Sequence, residues 1–149
     1  MPIKSLPRPD GFHAVTPYLI VDDARKLIAF TQAVFDATLC YVHELPDGRV
    51  MHSQIIIGDS ILWLADSNPK WPSRSFMLYI YVEDVDAVYQ RALDAGATSV
   101  QPPGNQFYGD RSCGVEVPGA GQWWIATHVE NVSAEEVTRR QQQYAASKA

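Results

Sequence analysis

The sequence predicts an α+β fold built from two βαβββ modules in tandem, and three observations carry that prediction. The segment Thr16 to Ala24 (TPYLIVDDA) returns as Phe76 to Asp86 (FMLYIYVEDVD), with Tyr79 standing 61 residues after Tyr18. Trp63 and Trp124 are also 61 residues apart, so the likeness extends well past one strand. In both copies an aromatic and β-branched run leads through paired acidic residues into an apolar stripe of helical period, and then into short runs separated by turn residues.

Residues 1–11 carry three prolines among charges and read as an irregular lead-in. His13 to Val21 is the first strand. Asp22 and Asp23 follow it and can accept from the free N–H groups of a helix start. The helix runs to about Phe35: Leu27, Phe30, Thr31 and Val34 recur at helical spacing, and Ile28 and Phe35 widen the face that should lie on a sheet. A second strand spans about Thr38 to His43 and ends at Pro46-Asp47-Gly48, where proline presets φ and glycine accepts a positive one. Val50 to Ile57 and Ile61 to Ala65 then form a hairpin around Gly58-Asp59-Ser60. Module one thus covers about residues 13–66.

The polar, proline-bearing residues 67–75 read as the connection between modules, and Trp71 within it is expected to play little part in binding. Module two, about residues 76–128, repeats the order. Phe76 to Val82 is a strand, Glu83 and Asp84 cap, and Val85, Val88, Tyr89, Ala92 and Leu93 mark a helix face closed by Gly96. Thr98 to Gln101 is the next strand, expected to break at Pro102-Pro103-Gly104-Asn105. Arg111 to Val117 and Gln122 to His128 complete the module. Ser133 and Glu136 form a capping box that opens a polar helix over about residues 133–147, and the whole of 1–149 is read as a single domain.

Composition narrows the function classes. With 149 residues, 46% hydrophobic and 19% charged, the chain can bury a proper core. A net charge of −5 argues against a nucleic-acid groove or an anionic membrane surface, both of which need a basic footprint, and favours a small neutral or cationic ligand. No transmembrane-length apolar run and no signal-peptide block are seen, so the expected compartment is the cytoplasm. Cys40 and Cys113 lack metal-ligand spacing and read as reduced, packed small residues.

The motifs PYLIVDDA, IGDSILWLAD, YVEDVDAVYQRALDAGA, QFYGDRSCGVEVP and WWIATHVENVS, set in the duplicated frame, resemble the vicinal oxygen chelate superfamily. The likeness is to its small bacterial glyoxalase and bleomycin-resistance-like branch. That resemblance implies sheets curled into a cup of mixed strands, a homodimer, and in the metal-dependent members four ligands: a His or similar near the start of each module's first strand, a Glu on each last strand. Carried over by position, these places hold Thr16, Met77, Trp63 and Trp124. A thioether is too soft for Mg, Mn or Zn, a neutral hydroxyl binds weakly and indole offers no lone pair, so no metal and no other cofactor is expected. The turn Val117-Pro118-Gly119-Ala120-Gly121 departs from the family's Asp-Pro-aromatic-Gly pattern.

Strand alternation places Thr16, Tyr18 and Ile20 on one face, with Trp63, Met77, Tyr79, Tyr81 and Trp124 on the equivalent faces. Two readings of these aromatics stand side by side, a ligand wall and a packed core. Aromatic walls suit planar or cationic ligands through stacking and cation–π contacts. His52 and Gln54 share a face of the third strand and either join the wall or meet solvent. Arg111 either grips an anionic group bidentately or staples a loop beside Asp110. His13, His43 and His128 are read as structural, and no nucleophile elbow is present. The function expected is metal-free binding of a small aromatic or cationic molecule. The alternative is a vicinal oxygen chelate enzyme of lyase, isomerase or dioxygenase type, metal-dependent or metal-free, and a plain dimerisation module is a third possibility.

Overall fold

The computed structural model describes residues 6–148; the first five residues of the lead-in, with that part of the stretch read for a signal peptide, and the final residue lie outside the described residues. The order of elements is β1 (Tyr18–Val21), α1 (Ala24–Phe35), β2 (Thr38–Glu44), β3 (Val50–Ile57), β4 (Ser60–Asp66), then β5 (Met77–Tyr81), α2 (Val85–Asp94), β6 (Thr98–Asn105), β7 (Asp110–Glu116), β8 (Gln122–His128) and a terminal α3 (Ala134–Lys148). This is the α+β pattern of two βαβββ modules. The chain divides into two compact units, one ending at Phe76 and the other starting at Met77.

In each unit the first strand lies at one edge of its own sheet, beside the last. The orders are β1-β4-β3-β2 and β5-β8-β7-β6. β1 runs parallel to β4 with Tyr18 opposite Trp63, and β5 runs parallel to β8 with Tyr79 opposite Trp124. The repeat in sequence is therefore a repeat in register.

One face of each sheet is covered by that unit's helix. Asp23 caps α1 by accepting from the Lys26 N–H (3.1 Å), and Asp84 caps α2 by accepting from Ala87 at the same distance. α1 turns Leu27, Ile28, Phe30, Thr31, Val34 and Phe35 inward, the residues that its periodicity singled out. They pack in a core with Leu19, Val21, Ile55, Leu62 and Leu64 of the sheet. In the second unit Val85, Val88 and Ala92 of α2 are buried with Cys113, Val115, Trp123 and Ile125. Truncating a residue such as Leu64 or Ile125, both wholly buried, removes roughly 2–5 kcal/mol of core packing.

Four local expectations change. β1 starts at Tyr18, not His13, because Pro17 has no N–H to give the ladder and offers only its carbonyl, to Trp63 N. β6 does not break at Pro102-Pro103 but continues to Asn105: it is an edge strand, and its register with β7 shifts between Ser99 and Gln101 and again between Gln101 and Gly104, so the prolines fall where no ladder bond is required. Residues 67–75 fold back on the first unit, with Ser67 N bonded to Val21 O and Arg74 N to Ile20 O. Cys40 is exposed, not packed, whereas Cys113 is buried and its thiol is pushed up to about 11, chiefly by burial and then by the charge of Asp86. α3 begins as the capping box requires, with Ser133 Oγ accepting from Glu136 N, and no described helix is long and apolar enough to cross a membrane.

Candidate functional site: the helix-free sheet faces

Strands place alternate side chains on opposite faces, so the face without a helix collects the polar and aromatic half of each sheet. In the first unit it carries Tyr18, Tyr41, His52, Gln54 and Trp63. Gln54 Oε1 accepts from Trp63 Nε1 at 3.0 Å and from the Tyr41 hydroxyl at 3.2 Å. The proton of Tyr41 is then committed, so its oxygen accepts from His52 Nε2–H (3.0 Å). Nδ1 of His52 is left as an acceptor and takes the proton of Tyr18, again at 3.0 Å. This arrangement satisfies all four contacts and fixes one tautomer.

Burial, and then the nearby His43, holds His52 below the ordinary imidazole range, so the ring is neutral near pH 7. Trp63 meets it edge to face at 4.8 Å between centroids, and Tyr18 meets Trp63 at 5.5 Å. Burial, and then Tyr41, raises the Tyr18 phenol. The whole cluster is uncharged, and Tyr18 is 46% exposed at its outer end. Chemically it is an aromatic surface with a phenol whose proton rests on an imidazole lone pair, an arrangement suited to stacking a planar group or to moving one proton.

The second unit builds its open face differently. Asp110 is only 3% exposed, and its carboxylate accepts from Tyr79 (2.8 Å), Tyr81 (2.9 Å) and His128 Nδ1 (2.8 Å). His128 Nε2 faces Asn131 Oδ1 at 2.8 Å, so both ring nitrogens meet acceptors, an arrangement that favours the protonated ring. Its pKa is raised, first by the bond to Asp110 and then by that to Asn131. Burial on its own would raise the Asp110 carboxyl, but the bonds from His128, Tyr79 and Tyr81 prevail and hold it below the usual range. Burial and the bond to Asp110 push the Tyr79 phenol far up. Beside this cluster Trp124 lies over Gly114, where a Cβ would sit 2.8 Å from the indole.

Tyr18, His52, Gln54 and Trp63 therefore come together in one hydrogen-bonded group, and Tyr79 and Trp124 share the open face of the other sheet. Met77 stands at the start of that face, 63% exposed. Thr16 is half-buried just before β1. Both tryptophans are half-buried outside the helix-covered core, whose buried tryptophan is Trp123. Arg111 is not brought to this face. It follows Asp110 by one residue, so it points to the helix side, where its Nε and Nη2 bond both oxygens of Asp86 at 2.8 and 2.9 Å. Tyr41, Asp110 and His128 are the residues that the sequence reading left out. His128 lies four residues after Trp124, and Asp110 four before Gly114, so the period of two would have put them on the same face.

The four places at which metal-dependent relatives hold ligands carry Thr16, Met77, Trp63 and Trp124, and among the described residues no three His, Cys, Asp or Glu side chains gather around a point fit for an ion. The donor set at this surface does not fit a divalent metal.

Comparison with known proteins agrees with this geometry. The model of the Glyoxalase/Bleomycin resistance protein/Dioxygenase superfamily matches residues 11–125. An uncharacterized protein of Mycobacterium bovis is 33% identical, over 83% of this chain and 89% of its own length. Among solved structures, TioX from Micromonospora sp. ML1 has a TM-score of 0.66 at 21% identity, covering 76% of this chain and 97% of TioX. A glyoxalase/bleomycin resistance protein/dioxygenase family enzyme from Burkholderia phytofirmans PsJN has a TM-score of 0.62 at 19% identity, with 76% and 97% covered. At these identities the solved structures are similar in fold.

Proposed function

Because the chain belongs to the glyoxalase/bleomycin resistance protein/dioxygenase superfamily, within the vicinal oxygen chelate proteins, we propose that it binds a small aromatic or cationic molecule on its helix-free sheet faces without a metal. The observation that carries this reading is the pair of half-buried tryptophans, Trp63 and Trp124, in identical register at places where a metal enzyme would need carboxylates. An indole face holds a planar or cationic group by roughly 0.5–2 kcal/mol beyond contact area. The reading includes a cytoplasmic homodimer, supported by the exposed edge strands of the sheets, which a second chain can cover.

The test is ligand titration of Trp63→Ala and Trp124→Ala beside the Phe variants. Each Ala variant is expected to weaken binding by about 1–3 kcal/mol, and each Phe variant to weaken it less with nearly unchanged melting. Lost stability with intact binding in the folded fraction would return both residues to a packing role. A tight one-to-one divalent metal in the purified protein would also overturn the reading, and so would a monomer independent of concentration for its dimeric part.

A second reading, metal-free lyase or isomerase chemistry, is favoured by one observation: the Tyr18 proton rests on the bare Nδ1 of a neutral imidazole. In that case His52→Gln abolishes turnover while leaving ligand affinity within a few-fold, whereas a pure binding protein shows no turnover to lose.

A further inference from the structure

The fold-back of residues 67–75 closes one side of a cavity of about 730 Å³ in the first unit, a volume that suits a small organic ligand. Its walls are apolar: Tyr18 and Ile20 of β1, Met51 of β3, and Trp71 from the folded-back segment. Its polar lining is donor-rich. Arg74 opens onto the cavity, and its guanidinium has no hydrogen-bond or ion-pair partner among the described residues. Arg49 uses Nε for Asp47 (2.8 Å), leaving its other guanidinium nitrogens available. Asn68 spends its Oδ1 on the N–H groups of Lys70 and Trp71, both at 2.9 Å, which leaves its amide N–H groups as donors. The acid in the lining, Asp66, has each oxygen taken by a backbone N–H, from Ala24 and Val50, both at 2.7 Å. Lys70 adds a further positive charge 5.7 Å from the centre of the Trp71 ring.

We propose that this cavity is a binding site for a planar aromatic anion, its ring between Trp71 and Tyr18 and its carboxylate on Arg74. Uncommitted donors prevail in the lining, and the one carboxylate there, Asp66, already receives two backbone N–H groups, so a carboxylate ligand is favoured over an ammonium one. The overall charge of −5 does not decide the matter, because charges more than about 8 Å away are screened at physiological salt. The inference deepens the proposed function and rests on it for an aromatic ligand in this unit. It narrows the ligand class to anions, and it gives a role to Trp71, which the sequence alone placed in a linker.

Calorimetric titration of the full chain with naphthoate, naphthamide and naphthylmethylammonium separates the possibilities. Naphthoate is expected to bind at least about tenfold more tightly than the amide, the worth of one charge-assisted hydrogen bond, with the ammonium weakest. Arg74→Met should bring naphthoate down to the level of the amide, and Arg74→Lys should recover part of the difference. Since the Arg74 guanidinium holds no other group among the described residues, neither variant should change the melting temperature. Equal affinity for acid and amide, unchanged naphthoate binding in Arg74→Met, or no binding of any of the three overturns the inference. Trp63 does not line this cavity, so Trp63→Phe tells the two readings apart. If it weakens all three probes while Arg74→Met weakens none, the open-face reading stands and this one falls; if Arg74→Met alone acts, the site is the cavity.

Discussion

The two modules share their topology, their capping acids and a tyrosine opposite a tryptophan, yet they finish their open faces in opposite electrostatic styles. At the position paired with the tryptophan, module one has Gln54, whose amide oxygen holds Trp63 Nε1, and module two has Gly114, which lets Trp124 settle onto the strand. Four residues earlier, module one has the buried apolar Val50 and module two the buried acid Asp110. The result is a neutral imidazole between two phenols in one sheet and a carboxylate held by two phenols and a histidine in the other. A duplicated backbone tolerates this divergence because the helix-covered face supplies most of the burial, while the other face needs only mutually satisfied polar groups.

The comparison can be broken first at the glycine before the β7 strand. Gly109 has φ 103°, and a Cβ there would meet Glu130 O at 2.1 Å, whereas Gly48, its counterpart before β3, has φ 86° and open space. Gly109→Ala is expected to cost roughly 3 kcal/mol or more, from a backbone clash added to the strain, and Gly48→Ala only about 1 kcal/mol; urea unfolding of both variants checks the gap. Next comes Asp110→Asn, which removes the anion that three donors share and is expected to destabilise by roughly 2–4 kcal/mol. Equal stability to wild type would mean that the carboxylate is not the organising group of that face.

Gly114→Ala should displace the Trp124 indole at a cost of about 1–3 kcal/mol, and Gln54→Ala in module one should cost about 1 kcal/mol, because there only hydrogen bonds are lost. The smallest effect expected is on the pH response, and its sign differs between the histidines of the two modules. His128 has a raised folded pKa, so its contribution is full below the unfolded value near 6.5 and is lost as pH rises through the folded one. Asp110, depressed, contributes above its unfolded value near 3.8 and loses that as pH falls through its folded value. His52 is depressed too, and its contribution is present above about 6.5 and lost as pH falls through its folded value. Proton NMR titration of the imidazole C–H signals should show one histidine titrating above the ordinary range and another below it. Matching midpoints for His52 and His128 would erase the distinction.

Much of this molecule was legible in its residues. The 61-residue repeat, the acidic caps, the helix stripes and the period of two determine two βαβββ modules, put Tyr18, Trp63, Tyr79 and Trp124 on equivalent faces and His52 with Gln54 on one face of a strand, and leave open what those faces meet. These are local properties, set by backbone geometry over a few residues, and sequence spacing reports them directly. Partnership is another matter, because a face is shared by strands distant in sequence. Asp110 and Arg111 look like an ion pair on paper, yet successive residues of a strand point to opposite sides; only the packing of β7 between β6 and β8 under α2 sends one to His128 and the other to Asp86. The same holds for the protons of His52, which its own neighbours cannot assign and two tyrosines from other strands can. It holds as well for residues 67–75, polar enough to read as a linker, whose backbone bonds to β1 bring Trp71 and Arg74 to the wall of a cavity. Strand alternation is fixed by the chain itself, whereas the identity of the group across a hydrogen bond is fixed only when separate strands meet.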